Sequence, residues 1–285
     1  MSSVFDPTLC ELGEGVFWHP EREQLFWFDI LNRRLMTRVD GATREWRFPG
    51  MVSAAGRTGR DGLLIASESC LWHLDLASGD RAVVAPLEGD NPGTRSNDGR
   101  ADRQGGFWIG TMGKRAEREA GAIYRYHRGE LRQLFGKLTI PNAICFSPDG
   151  GHAHFADTAR GKVWRVALDA QGWPVGDPVL FLDPGAEGLN PDGAVIDSEG
   201  TFWNAQWGAG RVAAYDPRGR FLRAIRFGAP HTSCPAFGGP DLATLFCTTA
   251  REGLGPDDLA AHPLSGATFS APAGVRGLPE PEVIL

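Results

Sequence analysis

A chain of 285 residues with 42% hydrophobic and 22% charged residues has the make-up of a soluble globular protein and is expected as a single domain over 1–285. Its formal net charge is −6, and no Lys/Arg cluster forms the basic stripe that a nucleic-acid partner requires. No apolar run approaches the roughly 20 residues of a membrane span, so neither a nucleic acid nor a membrane is expected as a partner.

The opening Met-Ser-Ser-Val-Phe-Asp-Pro has neither the basic start nor the apolar centre of a signal peptide, which points to a cytoplasmic protein. The five cysteines, Cys10, Cys70, Cys145, Cys234 and Cys247, are odd in number and widely spaced. They read as buried free thiols rather than a disulfide framework or zinc knuckle. Glycine, at 38 residues, is about twice as frequent as usual, and together with 20 prolines it signals many tight turns between short strands.

One pattern returns along the chain: a turn of Asp, Pro or Gly, then a run of aromatic and β-branched residues. It is met first as His19-Pro20 leading to Gln24-Leu25-Phe26-Trp27-Phe28, then as Arg60-Asp61-Gly62 leading to Leu63-Leu64-Ile65. The third copy is Asp102-Arg103-Gln104-Gly105-Gly106 before Phe107-Trp108-Ile109, and the fourth Ser147-Pro148-Asp149-Gly150 before His154-Phe155-Ala156. The fifth is Asp197-Ser198-Glu199-Gly200 before Thr201-Phe202-Trp203, and a weaker sixth is Gly238-Gly239-Pro240-Asp241 before Leu245-Phe246-Cys247.

From Phe26 through Leu64, Phe107, Phe155, Phe202 and Phe246 the spacings are 38, 43, 48, 47 and 44 residues. Such periods with alternating strands belong to propeller blades. The predicted fold is therefore all-β: a six-bladed β-propeller with four-stranded blades around a central channel. A ring must close, and the segment from Val4 to Glu11 is placed to give the last blade a strand. Two polar stretches, Lys114 to Gly121 and Gly255 to Pro263, are expected as loops or single helical turns.

The innermost strand of each unit is the run before its aromatic anchor, and its start opens onto one mouth of the channel. Glu14, Asn97, Asn142 and Asp192 begin four of these runs, 12, 10, 13 and 10 residues before their anchors. Asn or Asp at any one such place is ordinary turn chemistry, but four equivalent placements converge on one mouth. Two carboxylates and a carboxamide oxygen make an all-oxygen set suited to Ca²⁺, Mg²⁺ or Mn²⁺. His152 and His154 share a strand face and read as a solvated face rather than a metal site. His231 opens the sixth inner run. No nucleophile elbow or phosphate-binding loop is present.

At these residues the sequence resembles the family of gluconolactonases, regucalcin (senescence marker protein) and luciferin-regenerating enzymes. The matching stretches include Gly13-Glu14-Gly15, Arg95-Ser96-Asn97-Asp98-Gly99, Gly106-Phe107-Trp108-Ile109-Gly110-Thr111-Met112, Pro141-Asn142-Ala143, Pro191-Asp192-Gly193 and Phe237-Gly238-Gly239, in family order. The resemblance implies one divalent metal held by Glu14, Asn142 and Asp192, with substrate contacts from Arg95 and Asn97. Ca²⁺ is the first expectation for the metal, with Zn²⁺, Mn²⁺, Mg²⁺ or Fe²⁺ as alternatives.

The implied activity is hydrolysis of a small-molecule sugar lactone to its aldonic acid, in sugar oxidation of the bacterial type, with Asp192 as general base. Two other readings stand beside it: a calcium-binding regulatory or interaction propeller without turnover, and a promiscuous esterase on the same metal site. The sequence departs from animal members after Gly-Thr-Met, where Gly113-Lys114-Arg115 brings positive charge instead of acidic residues.

Overall fold

The computed structural model describes residues 2–285. Its strands form six antiparallel four-stranded sheets: 13–47, 52–86, 94–138, 141–182, 190–226, and a last one built from both ends of the chain. In that last sheet the strand Ser3–Asp6 pairs with Thr268–Pro272, outside Thr244–Thr249 and Thr232–Gly238. The early segment thus closes the ring as expected, using only its first few residues as strand. The stretch after Gly255 contains the short helix Pro256–Ala261, and Lys114 to Ala120 is turn and loop.

Each blade is covered on both faces by its neighbours, so its strands need apolar residues on both sides. That requirement explains the aromatic runs. All six anchors are buried, with Phe26, Leu64 and Phe107 fully enclosed and Phe155, Phe202 and Phe246 nearly so. The hydrophobic clusters lie between blades: Phe17, Phe26 and Phe28 of the first blade meet Val52, Leu63 and Ile65 of the second. Around the ring, Val16, Leu25 and Trp27 of the first blade meet Cys234, Ala236 and Phe246 of the last. All five cysteines are free and buried.

The recurring turn aspartates have a local cause. Asp102 Oδ1 accepts the N–H groups of Gln104 and Gly106 at 2.9 and 2.7 Å, and Asp197 Oδ1 those of Glu199 and Thr201, each at 2.9 Å. These carboxylates satisfy the backbone of the hairpin between first and second strands.

The innermost strands are Gly13–His19, Val52–Arg57, Thr94–Ala101, Pro141–Phe146, Asn190–Ile196 and Thr232–Gly238. Every one of them breaks register with its neighbour near its start, after Glu14, Val52, Ser96, Asn142, Pro191 and Thr232 respectively. A bulge bends the strand and re-aims side chains, and here the bulges form a ring at one mouth. At the opposite end of the inner strands the C-terminal segment crosses the molecule. Val283 N–H donates to Arg57 O at 2.7 Å, Ile284 N–H to Gly105 O at 2.8 Å, and Arg100 pairs with Glu280.

Gly15 lies inside the first bulge with φ 55°, and a Cβ there would stand 2.0 Å from Ser53 O and 2.8 Å from Phe28. Gly15→Ala is therefore expected to lower the unfolding free energy, read by denaturant titration, by well beyond the roughly 1–2 kcal/mol of a left-handed backbone alone. Gly41→Ala, at φ 78° with nothing within 4 Å, should show only that smaller loss. Equal losses for the two variants would contradict this packing of the bulge.

Candidate active site

At the bulged mouth lies a cavity of about 450 Å³ whose lining includes Glu14, Arg95, Asn97, Asn142 and Asp192. All five of the residues singled out in the sequence are brought together, from four different blades. Each is more than nine-tenths buried. Lys114 and Arg115 also reach this cavity. Lys114 is neutralised by Glu68 of the second blade at 2.7 Å, and Arg115 is exposed beside Glu117.

The polar groups form an ordered series. Arg95 Nη1 donates to Ser96 O at 2.9 Å and to Asn97 Oδ1 at 2.8 Å. Asn97 Nδ2 donates to Pro141 O and to Asn142 Oδ1, both at 3.0 Å. Asn142 Nδ2 donates to Thr158 Oγ at 2.8 Å. Among the described residues only Nη1 of Arg95 meets protein acceptors, so the rest of its planar fork is left to the cavity. Asn97 spends both amide hydrogens on the protein. Toward a ligand it offers the second lone pair of Oδ1.

The carboxylates are less well supplied. Glu14 accepts the N–H of Gly15 at 3.0 Å. Burial, then the nearby Asp98 carboxylate, push Glu14 up to about 8. Burial, then Glu14 and Asp98, raise Asp192 well above the usual carboxylate range. Asp98 is itself raised by burial, but its oxygens are bound by Gly99 and Ile144 N–H at 2.9 and 2.7 Å. Arg95 eases this crowding only partly, because its charge is shared among Glu252, Glu14 and Asp192.

Two desolvated carboxylates with incomplete partners are the situation that a bound cation relieves. The cavity lining holds neither His nor Cys, and carboxylate plus carboxamide oxygens suit a hard divalent ion. Glu14, Asp192 and Asn142 Oδ1 therefore fit the metal that the sequence implies.

Sequence reasoning missed Thr158, Asp98 and Glu252. Asp98 sits beside Asn97, and its strand position was the available signal. Thr158 and Glu252 come from connections between outer strands and carry no repeat signature. His231 lies next to the site rather than in it: it stacks on Trp207 at 4.1 Å, with a ring nitrogen 3.0 Å from Glu252 O. His154 differs from the expected solvated face. It is buried against Phe181 and Phe202, and burial, then Arg165, hold its pKa at about 3.

Residues 12–251 match the model of the SMP-30/Gluconolactonase/LRE-like region, and the chain belongs to that family. It is 42% identical over 95% of its length to 93% of a Rhizobium meliloti protein named as a candidate sugar lactone lactonase. It is 34% identical, over 95% of its length, to 94% of the 6-deoxy-6-sulfogluconolactonase of Pseudomonas putida. Among solved structures, a calcium-binding protein, regucalcin, from Agrobacterium tumefaciens superposes with a TM-score of 0.97 at 41% identity, covering 100% of this chain and 98% of that one. No helix among the described residues is long and apolar enough to cross a membrane.

A buried carboxyl whose folded pKa exceeds its unfolded value stabilises the fold at low pH and loses that contribution as pH rises. For Glu14 that loss runs upward from its ordinary value near 4.5 through about 8 in metal-free protein. Chelator-stripped Glu14→Gln should therefore melt higher than stripped wild type at pH 8, with the gap closing below pH 5. A lower melting point for the variant at pH 8 would contradict this electrostatic account.

Proposed function

We propose that this chain hydrolyses the ring ester of a sugar lactone, with a divalent cation held by Glu14, Asn142 and Asp192. The observation that carries the reading is the meeting of two buried carboxylates and a carboxamide oxygen, beside a guanidinium, in one cavity. About 450 Å³ is room for a single monosaccharide-sized ligand. The lactonase names of two relatives support a lactone as substrate. A lactone is a cyclic carboxylic ester, so the enzyme is a carboxylic-ester hydrolase. The calcium-binding description of the superposing regucalcin supports Ca²⁺ as the first ion to try.

In the reaction the oxygen of water bonds to the carbonyl carbon, and the bond from that carbon to the ring oxygen breaks. Asp192 takes a proton from the attacking water at a carboxylate oxygen and gives it up to the departing ring oxygen, which leaves the open-chain aldonic acid and returns Asp192 to its starting state. Arg95, locked through Nη1, turns its remaining N–H groups to the sugar hydroxyls and orients the ring. Asn97 Oδ1 accepts from a hydroxyl on the same side. The divalent ion, when bound, supplies polarisation of the ester carbonyl. Glu14 and Asn142 would be among the residues that hold it.

Acid release from a panel of aldonolactones, followed with a pH indicator on stripped protein with each ion restored, tests this reading. Asp192→Ala is expected to lose roughly 10²–10⁴-fold in turnover. Glu14→Gln should lose the metal-restored rate while both variants keep the circular dichroism of wild type. Most of the activity persisting in Asp192→Ala would remove Asp192 from the role of base. No metal-restored rate with any lactone would contradict the function itself.

A further inference from the structure

We infer that Thr158 is a positioning residue of the cation site, whose hydroxyl fixes which way the Asn142 carboxamide faces; this rests on the metal reading proposed above. Thr158 opens a one-turn 3-10 helix, Thr158–Arg160, directly after the second strand of the fourth blade, His152–Asp157. It has little freedom there. Its N–H donates to Ile140 O at 3.0 Å, and its own carbonyl accepts from Gly161 N–H at 3.0 Å. The preceding Asp157 carboxylate accepts Thr139 and Ile140 N–H, each at 3.0 Å.

The hydroxyl has one proton and two lone pairs. Its oxygen stands 2.6 Å from Pro191 O, which can only accept, so the proton goes there. Toward Asn142, 2.8 Å away, Thr158 can then only accept, so the amide nitrogen must face it. Asn142 Oδ1 is thereby turned to the other side, where Asn97 Nδ2 donates to it at 3.0 Å. Asn97 is fixed in turn, because its Oδ1 receives Arg95 Nη1 at 2.8 Å.

Donation thus runs one way, from Arg95 to Asn97, Asn142, Thr158 and Pro191 O. The series begins on the third blade, passes through the fourth and ends on the fifth, on the residue bonded to Asp192. Turning the Asn142 amide over would set its nitrogen against Asn97 Nδ2 and its oxygen against a hydroxyl whose proton is already committed.

Thr158→Val keeps the shape and removes both roles. Asn142 Nδ2 then lacks an acceptor in a buried site, Pro191 O lacks a donor, and the flipped amide opposes Asn97 donor to donor. In neither orientation is Oδ1 held toward the cation without an unpaired donor. Outer partners that orient a metal ligand are typically worth 10–100-fold in affinity.

The test is calorimetric titration of Ca²⁺ and of Mn²⁺ into chelator-stripped wild type, Thr158→Val and Thr158→Ser, with the melting point of each stripped protein measured alongside. Thr158→Val is expected to bind the ion about 10–100-fold more weakly. Thr158→Ser should recover most of the wild-type affinity, and the three stripped melting points should not track the affinities. Wild-type affinity in Thr158→Val would overturn the inference and leave the cation site standing. Equal weakening in both variants, following their stripped melting points, would reduce Thr158 to a structural part of the turn and also overturn it. A wild-type protein that binds neither ion would overturn the inference together with the metal reading.

Discussion

Two carboxylates, Glu14 and Asp192, are drawn out of water at one mouth of the ring, where burial and nearby acidic groups raise both above their ordinary range. Left alone, such a pair costs the fold free energy, because an ionised carboxyl in a poorly solvated place has lost its hydration without gaining a partner. Asp98, close by, is satisfied by two backbone N–H groups, and the one guanidinium among the five converging residues is divided between three carboxylates. Protonation relieves that cost in the metal-free site, and a bound cation would relieve it at higher pH. The ordered amides and the anchored Arg95 stand around that pair, in a lining without His or Cys.

The ring supplies the geometry. Because each blade is covered on both faces, its inner strands can carry apolar residues on both sides, and the inter-blade clusters hold neighbouring inner strands in fixed relation. Rigid neighbours allow single side chains from different blades to meet without a dedicated loop. The register breaks at the starts of the inner strands then aim those side chains toward the axis. Gly15 and Ala143, both with φ of 55°, show where the backbone leaves ordinary strand conformation to do so. Strain of this kind is commonly stored beside functional groups.

The architecture was legible in the sequence because blade packing imposes a regular demand. Phe26, Phe107 and Phe202 recur because the same sandwiched place recurs, and Asp102 and Asp197 recur because the same hairpin needs its N–H groups bound. Glu14, Asn142 and Asp192 could be read from that frame, since each opens an inner run at a similar distance from its anchor. Thr158 and Glu252 could not: they reach the cavity from connections whose course depends on how the blades sit around the axis. His154 misled for a related reason. Two-residue spacing says which residues share a face of a strand, but not that the neighbouring blade brings Phe202 across it. The C-terminal segment across the far mouth, with Glu280 against Arg100, carries no periodic signal at all.

On the reading proposed above, Glu14, Asn142 and Asp192 surround one divalent cation. The most direct test of that reading is a crystal of the stripped protein soaked in Mn²⁺ and measured at a wavelength where that ion scatters anomalously. One strong anomalous peak bounded by the two carboxylates and Asn142 Oδ1 is expected. A cavity free of any peak, or a peak elsewhere with these three side chains unmoved, would contradict it.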